Sequence, residues 1–486
     1  MCRDILAETK AHSWQRYPAS LLVASLFVVI AILLGYVSAT KPLYGLLLAL
    51  AGLGCIALVY IFFKNGRLSL RGVIIPLLLV AVLSPSIRLP GAIPAVRLEL
   101  VIIIVAWALL LLGHLSSGKP VRLRWNPTNK WFLLFGICIL ASIAYATFVM
   151  GYYTTARDFW EFGKLIEYFL IFALVASLNI PPEHMPKYYI ISLIIFLCSA
   201  AFGFAQHFNL FDINSWLSPY YAPTQMAGLV RAGRIVGTTA NPNEFGALMV
   251  LAASLALTGA LWLKGRGVKL LSWAALGVFS LAIVLTLSRS ALLSLLVAAA
   301  FILLFKYLTH FGFGRTIGML LLVVPLLLIL GLVLSQLAPG NFSLRVGSAL
   351  HLTTDASWQA RLAKWGNQVD IWKQSPVLGW GPGKATMNTI VDNEWLLLLR
   401  RYGVVGVAVF ILWFAGVYRM LSRIGKGTQK RYTQTFCVGL QATLIAYAIY
   451  MIPLGVYHSL QLMPILLIFL GLAYTQRQSS RMVKQT

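Results

Sequence analysis

Two arginines stand beside a polar turn at the edge of an apolar stretch. Arg231 and Arg234 come shortly before Asn241-Pro242-Asn243, where a long hydrophobic run begins. A guanidinium group carries a rigid fork of donors that matches the oxygens of a phosphate group. The pair therefore predicts a diphosphate clamp, with Asn243 in a supporting position. The alternative is that both arginines reach lipid phosphates at the membrane edge.

A third arginine interrupts a longer apolar stretch. Arg289 lies in Ser288-Arg289-Ser290, with hydrophobic residues on both sides. A charge inside a membrane requires a partner or a polar cavity, because burying it alone is costly. We expect Arg289 to face a cavity and to bind pyrophosphate. If the serines instead form an outer turn, Arg289 is an interfacial arginine with no catalytic task.

A short acidic sequence, Asp392-Asn393-Glu394, stands just before another hydrophobic run. A carboxylate within hydrogen-bond reach of a hydroxyl can take its proton as that hydroxyl attacks. Asp392 is therefore the candidate general base, His351 is the alternative base, and Glu394 is a weaker candidate. Asp392 or Asn393 can also cap the following helix, and both roles can hold at once.

The longest polar stretch of the chain, residues 336–395, contains a helical pattern. Apolar residues recur in it at alternating spacings of four and three, at Trp358, Leu362, Trp365, Val369 and Trp372. These spacings are typical of an amphipathic helix, and they leave Arg361 on another face. Ser375-Pro376 and the glycines after it predict the end of that helix. We expect the tryptophans to lie in the membrane interface; stacking of a sugar on them is the alternative.

The elements that position these residues must be membrane helices. Of the 486 residues, 59% are hydrophobic and only 11% are charged, which excludes a soluble globular protein. The net charge of +26 reflects basic residues between apolar runs, so it does not indicate a nucleic-acid partner. The few cysteines and the scattered histidines show no metal-ligand spacing, so we expect no metal, no nucleotide cofactor and no structural disulfide.

About fourteen apolar runs, with twelve as the lower limit, are long enough to cross or nearly cross a bilayer. They lie at residues 19–39, 43–63, 73–89, 97–113, 131–149, 162–178, 188–206, 244–263, 269–287, 290–308, 317–335, 396–421, 434–452 and 458–475. The prediction is an all-α polytopic membrane protein with one large, partly helical extracytoplasmic loop.

The predicted helices and the loop divide the chain into four regions. Residues 1–206 form N-terminal membrane helices, and residues 207–335 form helices that carry the arginines. Residues 336–395 form the large loop, and residues 396–486 form the last helices and a cytoplasmic tail.

The distribution of Lys and Arg predicts the orientation of these helices. Most of the 39 basic residues fall inside when both termini are cytoplasmic, which directs the large loop outward. The outer face nevertheless stays net positive, which suggests an anionic ligand. Charged residues at the start of the sixth run are expected to pair with each other as structural support, at Arg157, Asp158, Glu161, Lys164 and Glu167.

The order of these motifs resembles the O-antigen ligase and polymerase superfamily over residues 231–413. The shared pattern consists of Arg234-x-x-Gly237 near Asn-Pro-Asn, Ser288-Arg289-Ser290-Ala-Leu-Leu, Arg361-x-x-x-Trp365 with Pro376 and three glycines, Asp392-Asn393-x-x-Leu396, and Gly403-x-x-Gly406. The resemblance implies a metal-independent membrane glycosyltransferase of the GT-C type in the bacterial inner membrane. Its donor would be a glycan on undecaprenyl diphosphate, and a chain-length regulator is a candidate partner.

By position, the resemblance assigns Arg234 and Arg289 to the diphosphate leaving group and Arg361 to its support from the loop. One departure concerns the base. Ligases of the family carry His-Asn-x-x-Leu, whereas this chain has Asp392 before the asparagine. This favours the polymerase branch over ligation of a glycan to lipid A-core or protein. A lipid or solute transporter is the alternative from another class, although the sequence shows neither repeated halves nor interrupted helices.

Overall fold

The computed structural model describes residues 70–87, 96–117, 128–178, 180–217, 221, 228, 232–311, 356–384, 387 and 391–482. The predicted runs 19–39, 43–63 and 317–335 lie outside these residues, as do Arg231 and His351.

The described part of the chain is helical apart from one very short pair of strands. The helices in chain order are α1 (Ile74–Leu83), α2 (Leu98–Ser117), α3 (Asn129–Phe148), α4 (Ala156–Ser177), α5 (Met185–His207), α6 (Ile213–Leu217), α7 (Pro242–Trp262), α8 (Arg266–Leu285), α9 (Arg289–Phe311), α10 (Ala356–Lys373), α11 (Glu394–Lys426), α12 (Arg431–Tyr450) and α13 (Leu462–Met482). Single 3-10 turns precede α1, α5 and α6, at Leu70–Val73, Pro182–His184 and Leu210–Asp212. Strands β1 (Ser86–Ile87) and β2 (Val96–Arg97) pair antiparallel.

The chain divides into two compact units. The first comprises residues 1–77 and 98–124, and the second comprises residues 78–97 and 125–486. All the candidate site residues that the structure describes belong to the second unit.

Six of the described helices are long and apolar enough to cross a membrane: Asn129–Phe148, Pro182–His207, Pro242–Trp262, Arg266–Leu285, Arg289–Lys306 and Glu394–Lys426. Every predicted run within the described residues overlaps a helix. These findings confirm an all-α membrane protein.

Helix α7 is the centre of the second unit. The most apolar part of α7 is 89% buried inside the protein, whereas the corresponding part of α9 is 28% buried. It packs against α8, α9 and α12. Its sequence is rich in Ala and also contains two Gly, and such small side chains let neighbouring membrane helices approach closely. Helix α7 therefore packs closely against α9 and α12.

Helix α11 is interrupted near its start, which the sequence analysis did not foresee. Gly403 has φ 62°, so the helix breaks there and then continues to Lys426. A Cβ at Gly403 would lie 2.1 Å from the carbonyl oxygen of Val377, so only glycine fits this position. At this break, α11 lies against the backbone of the turn that follows α10.

Helix α10 confirms that the large loop contains a helix at the predicted place. The side of α10 that packs on α11 is polar at its centre, because Gln368 is 2% exposed and accepts a hydrogen bond from Arg400 Nη1 at 2.9 Å. Leu362 of the apolar stripe is 41% exposed. Trp365, Val369 and Trp372 of the stripe are half-buried, and their location in a membrane interface stays a prediction.

Candidate functional site

Arg234 is fixed by groups from two other segments. Its Nε donates to the carbonyl oxygen of Thr286 at 2.8 Å, and its Nη2 donates to Asn243 Oδ1 at 3.2 Å. Asn241 caps α7 by accepting from the Glu244 backbone N–H at 2.9 Å, which places Asn243 in the first turn. Arg234 therefore contacts Asn243 of the Asn-Pro-Asn turn, and its role in a diphosphate clamp stays a prediction.

The turn that contains Ser288 joins Arg234 to the end of α12. Tyr450 OH donates to the carbonyl oxygen of Asn243 at 2.7 Å and lies 3.3 Å from Ser288 Oγ. Arg289 begins α9 one residue later and is exposed. We call the residues Arg234, Asn243, Thr286, Ser288, Arg289 and Tyr450 the arginine turn.

The start of α11 lies beside the same end of α12. Asn393 caps α11 by accepting from the Leu396 backbone N–H at 3.0 Å. The backbone N–H of Glu394 donates to the carbonyl oxygen of Met451 at 2.8 Å. Asp392, the predicted base, is half-buried just before this cap. Because Met451 follows Tyr450 directly, the Asp392 segment and the arginine turn meet at one end of the helix bundle.

A buried cluster of charges lies beside this end, and Glu161 is its centre. The Glu161 side chain is 1% exposed. Its Oε1 lies 2.6 Å from Lys384 Nζ, 3.4 Å from Arg401 Nη1 and 3.6 Å from Lys164 Nζ. A buried carboxylate requires such partners, because its desolvation is otherwise too costly. We call Glu161, Lys164, Lys384, Arg401, His458 and Glu394 the Glu161 cluster.

His458 links two carboxylates in this cluster. Its Nδ1 is hydrogen-bonded to Glu394 Oε1, its Nε2 lies 2.6 Å from Arg401 Nη1, and Glu161 Oε2 lies 3.3 Å from the same Nε2. Arg401 can only donate, so its contact uses Nε2 as the acceptor and leaves a ring proton on Nδ1 for the bond to Glu394. This arrangement, in which a carboxylate orients a histidine, is one that general bases use.

Lys384 reaches Glu161 because the glycine-rich turn is held against α11 and α4. The backbone N–H groups of Trp380 and Gly381 donate to the carbonyl oxygens of Arg400 and Arg401, each at 2.9 Å. The Lys384 backbone N–H donates to Asp158 Oδ1 at 2.8 Å, near the start of α4. Burial lowers the pKa of Lys384, and the Glu161 carboxylate opposes that change.

A cavity of about 230 Å³ extends from His458 to the start of α7. Its lining is mostly polar and comprises Pro85, Arg97, Tyr221, Thr238, Thr239, Ala240, Glu244, His458, Leu460 and Gln461. Gln461 Nε2 fixes one wall by donating to the carbonyl oxygens of Val82 and Thr238 at 2.8 and 3.2 Å. The volume suits one or two phosphate groups better than a whole oligosaccharide.

The structure places the sequence-predicted residues in three locations. Arg234 contacts Asn243, whereas Arg289 is exposed at the start of α9 and does not line the cavity that it was expected to face. Asp392, Asn393 and Glu394 lie at the start of α11. Arg361 and Trp365 are half-exposed on α10. No described contact joins α10 side chains to the cavity.

The sequence analysis did not identify His458, Arg401 and Lys384, and it treated Glu161 as structural support only. One signal was available, since Arg400 and Arg401 interrupt the apolar run at 396–421 just as Arg289 interrupts its own run. A membrane charge of this kind requires a partner on another helix. His458 carried no comparable signal because it lies alone between two apolar runs.

Among the described residues, no group of three or more His, Cys, Asp or Glu side chains is arranged to hold a metal ion. The expected independence from metals stays a prediction.

Comparison with known proteins gives one family. Residues 274–411 match the model of a family described as O-Antigen ligase. No curated protein matches the chain. The matched segment includes Arg289, Arg361 and Asp392, whereas Arg234, Glu161 and His458 lie outside it. The match agrees with the resemblance seen in the motifs: over these residues the chain is similar to the O-antigen ligase family.

Proposed function

We propose that the chain is a polysaccharide or O-antigen polymerase that transfers a glycan from undecaprenyl diphosphate to an acceptor sugar. One observation carries this proposal together with the family match. His458 and the cation Arg97 line one polar cavity, and its lining residue Glu244 directly follows Asn243 of the arginine turn. Cations for a leaving group and a base for an incoming hydroxyl are what the reaction needs.

The arginines would act on the diphosphate. As the bond between the anomeric carbon and the phosphate oxygen breaks, its electron pair moves onto the diphosphate. Arg234 and Arg289 stabilise that charge, and Arg231 and Arg361 contribute from neighbouring segments. Arg234 is preorganised for this task because Thr286 and Asn243 fix the plane of its guanidinium group.

Asp392 and His458 are the candidates for the base. Asp392 stands at the position that the family motif assigns. His458 is supported by its bond to Glu394, which orients the ring. For His458 to accept the hydroxyl proton at Nε2, the acceptor must replace Arg401 Nη1 there. Attack opposite the leaving group inverts the anomeric centre, and no metal or nucleotide takes part.

We also propose the number of membrane spans, the orientation of the chain in the membrane and its partners. The chain has about fourteen membrane spans in a GT-C-like arrangement. Both termini are cytoplasmic, and the loop at 336–395 and the site face outward from the bacterial inner membrane. The partners are the lipid-linked glycan, membrane lipid and a chain-length regulator, without nucleic acid.

Two alternative functions, a ligase and a transporter, can be distinguished from a polymerase in a single assay. A ligase would pass the glycan to lipid A-core or to a protein, and a transporter would move a lipid or solute without forming a bond. The break of α11 at Gly403 is a feature that transporters also use, so transport remains one outcome of the test.

The experiment uses full-length protein in proteoliposomes with an undecaprenyl-diphosphate-linked oligosaccharide. Elongation of the lipid-linked chain, with inversion at the new linkage, supports a polymerase. Transfer only to added lipid A-core or protein supports a ligase, and movement across the bilayer without a new bond supports a transporter. Arg289→Ala should abolish transfer and leave membrane insertion intact. Arg266→Ala is the matched control, since Arg266 is exposed at the start of α8.

A further inference from the structure

A second and larger cavity lies at the opposite end of the helix bundle. Its volume is about 540 Å³. The C-terminal ends of α7 and α11, the later part of α9 and the first half of α12 form it. The lining residues are Leu261, Trp262, Phe305, Lys306, Ser422, Gly425, Lys426, Gln429, Arg431, Gln434, Val438 and Gln441. We call it the basic cavity.

All charged residues that line the basic cavity are cations. Lys306 Nζ donates to the carbonyl oxygen of Leu261 at 3.2 Å, and Arg431 Nη1 donates to that of Trp262 at 3.0 Å. These carbonyls at the end of α7 carry partial negative charge, but they cannot neutralise Lys306, Lys426 and Arg431 together. The remaining positive potential favours an anionic ligand.

Gln441 adds an unsatisfied donor deep inside the cavity. Its side chain is 2% exposed, and its Nε2 has no hydrogen-bond acceptor among the described residues. A buried amide donor without an acceptor is destabilising, so an oxygen of a ligand would be stabilising there. Gln441 lies about 15 Å along α12 from Arg431, at 1.5 Å per residue. A ligand that meets both residues must be long and must carry oxygens beyond its anionic group.

The rim of the basic cavity resembles a membrane interface. Trp262 and Phe305 have ring centroids 6.5 Å apart, and Lys306 Nζ lies 5.7 Å from the centroid of the Trp262 ring. Tryptophan beside lysine is typical of the headgroup level of a bilayer. The sequence-predicted orientation puts this end of α7, α11 and α12 on the cytoplasmic side, where anionic lipids attract basic residues.

We propose that the basic cavity binds an anionic glycerophospholipid of the cytoplasmic leaflet. Its headgroup and phosphodiester lie along the rim beside Lys306, Lys426 and Arg431. The glycerol backbone extends inward from the phosphodiester, so that an ester oxygen accepts from Gln441 Nε2. The site is separate from the proposed transfer site, because the two occupy opposite ends of α7, α9, α11 and α12. A bound lipid would hold these helices together at the end away from the cavity at His458.

Lipid retention measured by native mass spectrometry tests the proposal. Full-length protein is extracted from nanodiscs that contain phosphatidylglycerol and phosphatidylcholine. Wild type should retain phosphatidylglycerol in preference to phosphatidylcholine, and Lys426→Gln should retain about fivefold less, because one basic residue near an anionic lipid contributes roughly that factor.

Lys430→Gln is the matched control, since Lys430 is exposed in the same connection but does not line the cavity. The control should retain as much phosphatidylglycerol as wild type. Equal retention in Lys426→Gln and Lys430→Gln, or no preference for the anionic lipid, would overturn the proposal.

Two further measurements identify the ligand. Gln441→Leu should lower phosphatidylglycerol retention without lowering the melting temperature, because leucine replaces an amide that has no acceptor. Unchanged phosphatidylglycerol retention in Gln441→Leu would show that the lipid does not contact Gln441, and the lipid assignment would be wrong. Glycerol phosphate should not displace the retained lipid. If glycerol phosphate binds instead and is weakened by Lys426→Gln, the ligand is a soluble phosphate compound and the lipid assignment is wrong.

Discussion

Glu161 Oε1 and Lys384 Nζ lie 2.6 Å apart, although one belongs to α4 and the other to the turn after α10. This ion pair attaches the described part of the large loop to the membrane helices. Asp158, in the turn of α4 before Glu161, accepts from the Lys384 backbone as well. The beginning of α4 therefore fixes both the backbone and the side chain of one loop residue.

Replacement of Glu161 should destabilise the protein strongly. Glu161→Gln leaves Lys384 and Arg401 without their shared carboxylate, and breaking a buried pair costs about 3 to 5 kcal/mol. Because Lys384 is partly exposed, we expect the lower end of this range. Thermal unfolding in detergent measures the effect. Glu183→Gln, at an exposed carboxylate, should melt like wild type. A Glu161→Gln protein that also melted like wild type would show that the cluster does not hold the loop.

The lowered pKa of Lys384 predicts a dependence of stability on alkaline pH. Between the lowered pKa and the ordinary value of 10.5, the folded protein binds fewer protons at Lys384 than the unfolded chain does. The contribution of Lys384 to the free energy of unfolding should therefore rise as the pH rises through this window. The measurement is the melting temperature of wild type minus that of Lys384→Met at several alkaline pH values. A difference that stays flat or falls would contradict the burial of this amine.

Gly403 should tolerate no side chain. Gly403→Ala must adopt φ 62° with its Cβ 2.1 Å from the Val377 carbonyl oxygen, so the turn after α10 has to move. We expect a loss of about 2 kcal/mol or more in stability, together with lower activity. Gly366→Ala is the control, because Gly366 lies in α10 with open space around it and should gain about 0.5 to 1 kcal/mol. Equal melting temperatures for the two variants would refute the close contact.

Arg234→Lys should impair transfer even though the charge is kept. Lysine cannot donate to Thr286 and Asn243 while also presenting further donors to a diphosphate. A loss of about 2 kcal/mol in transition-state stabilisation corresponds to a rate about thirtyfold lower. The kcat/KM for lipid-linked oligosaccharide should show this loss, whereas Arg266→Lys should not. If Arg234→Lys matched that control, the guanidinium geometry would have no role.

The variant His458→Gln tests whether His458 acts as the general base or has only a structural role. Glutamine can keep a hydrogen bond to Glu394, but it cannot take a proton, so kcat should fall by about a hundredfold or more. Binding of the lipid-linked donor should change little, because the phosphate ligands remain. His184→Gln, at an exposed histidine, is the control. Normal kcat in His458→Gln would leave Asp392 as the candidate base.

Local patterns in the sequence were sufficient for the helices and for part of the site. Apolar runs of sufficient length predict membrane helices without knowledge of their neighbours, because the bilayer sets the required length. Arg234, Asn243 and Arg289 were recognised since each breaks or borders such a run. The amphipathic spacing in residues 356–373 was equally local.

The partners of the buried charges depended on tertiary structure. Nothing in the spacing of Glu161, Lys384 and His458 indicates that they meet, because the contacts join α4, the turn after α10 and the connection between α12 and α13. From the sequence alone, pairing with nearby charges in α4 is a sufficient explanation for Glu161. Only the packing of the helices shows that its carboxylate is fully buried. The sequence by itself determined which segments are long and apolar enough for a membrane and which family they resemble. Helix packing decided which charges are desolvated together, because desolvation depends on every surrounding segment and not on the local pattern.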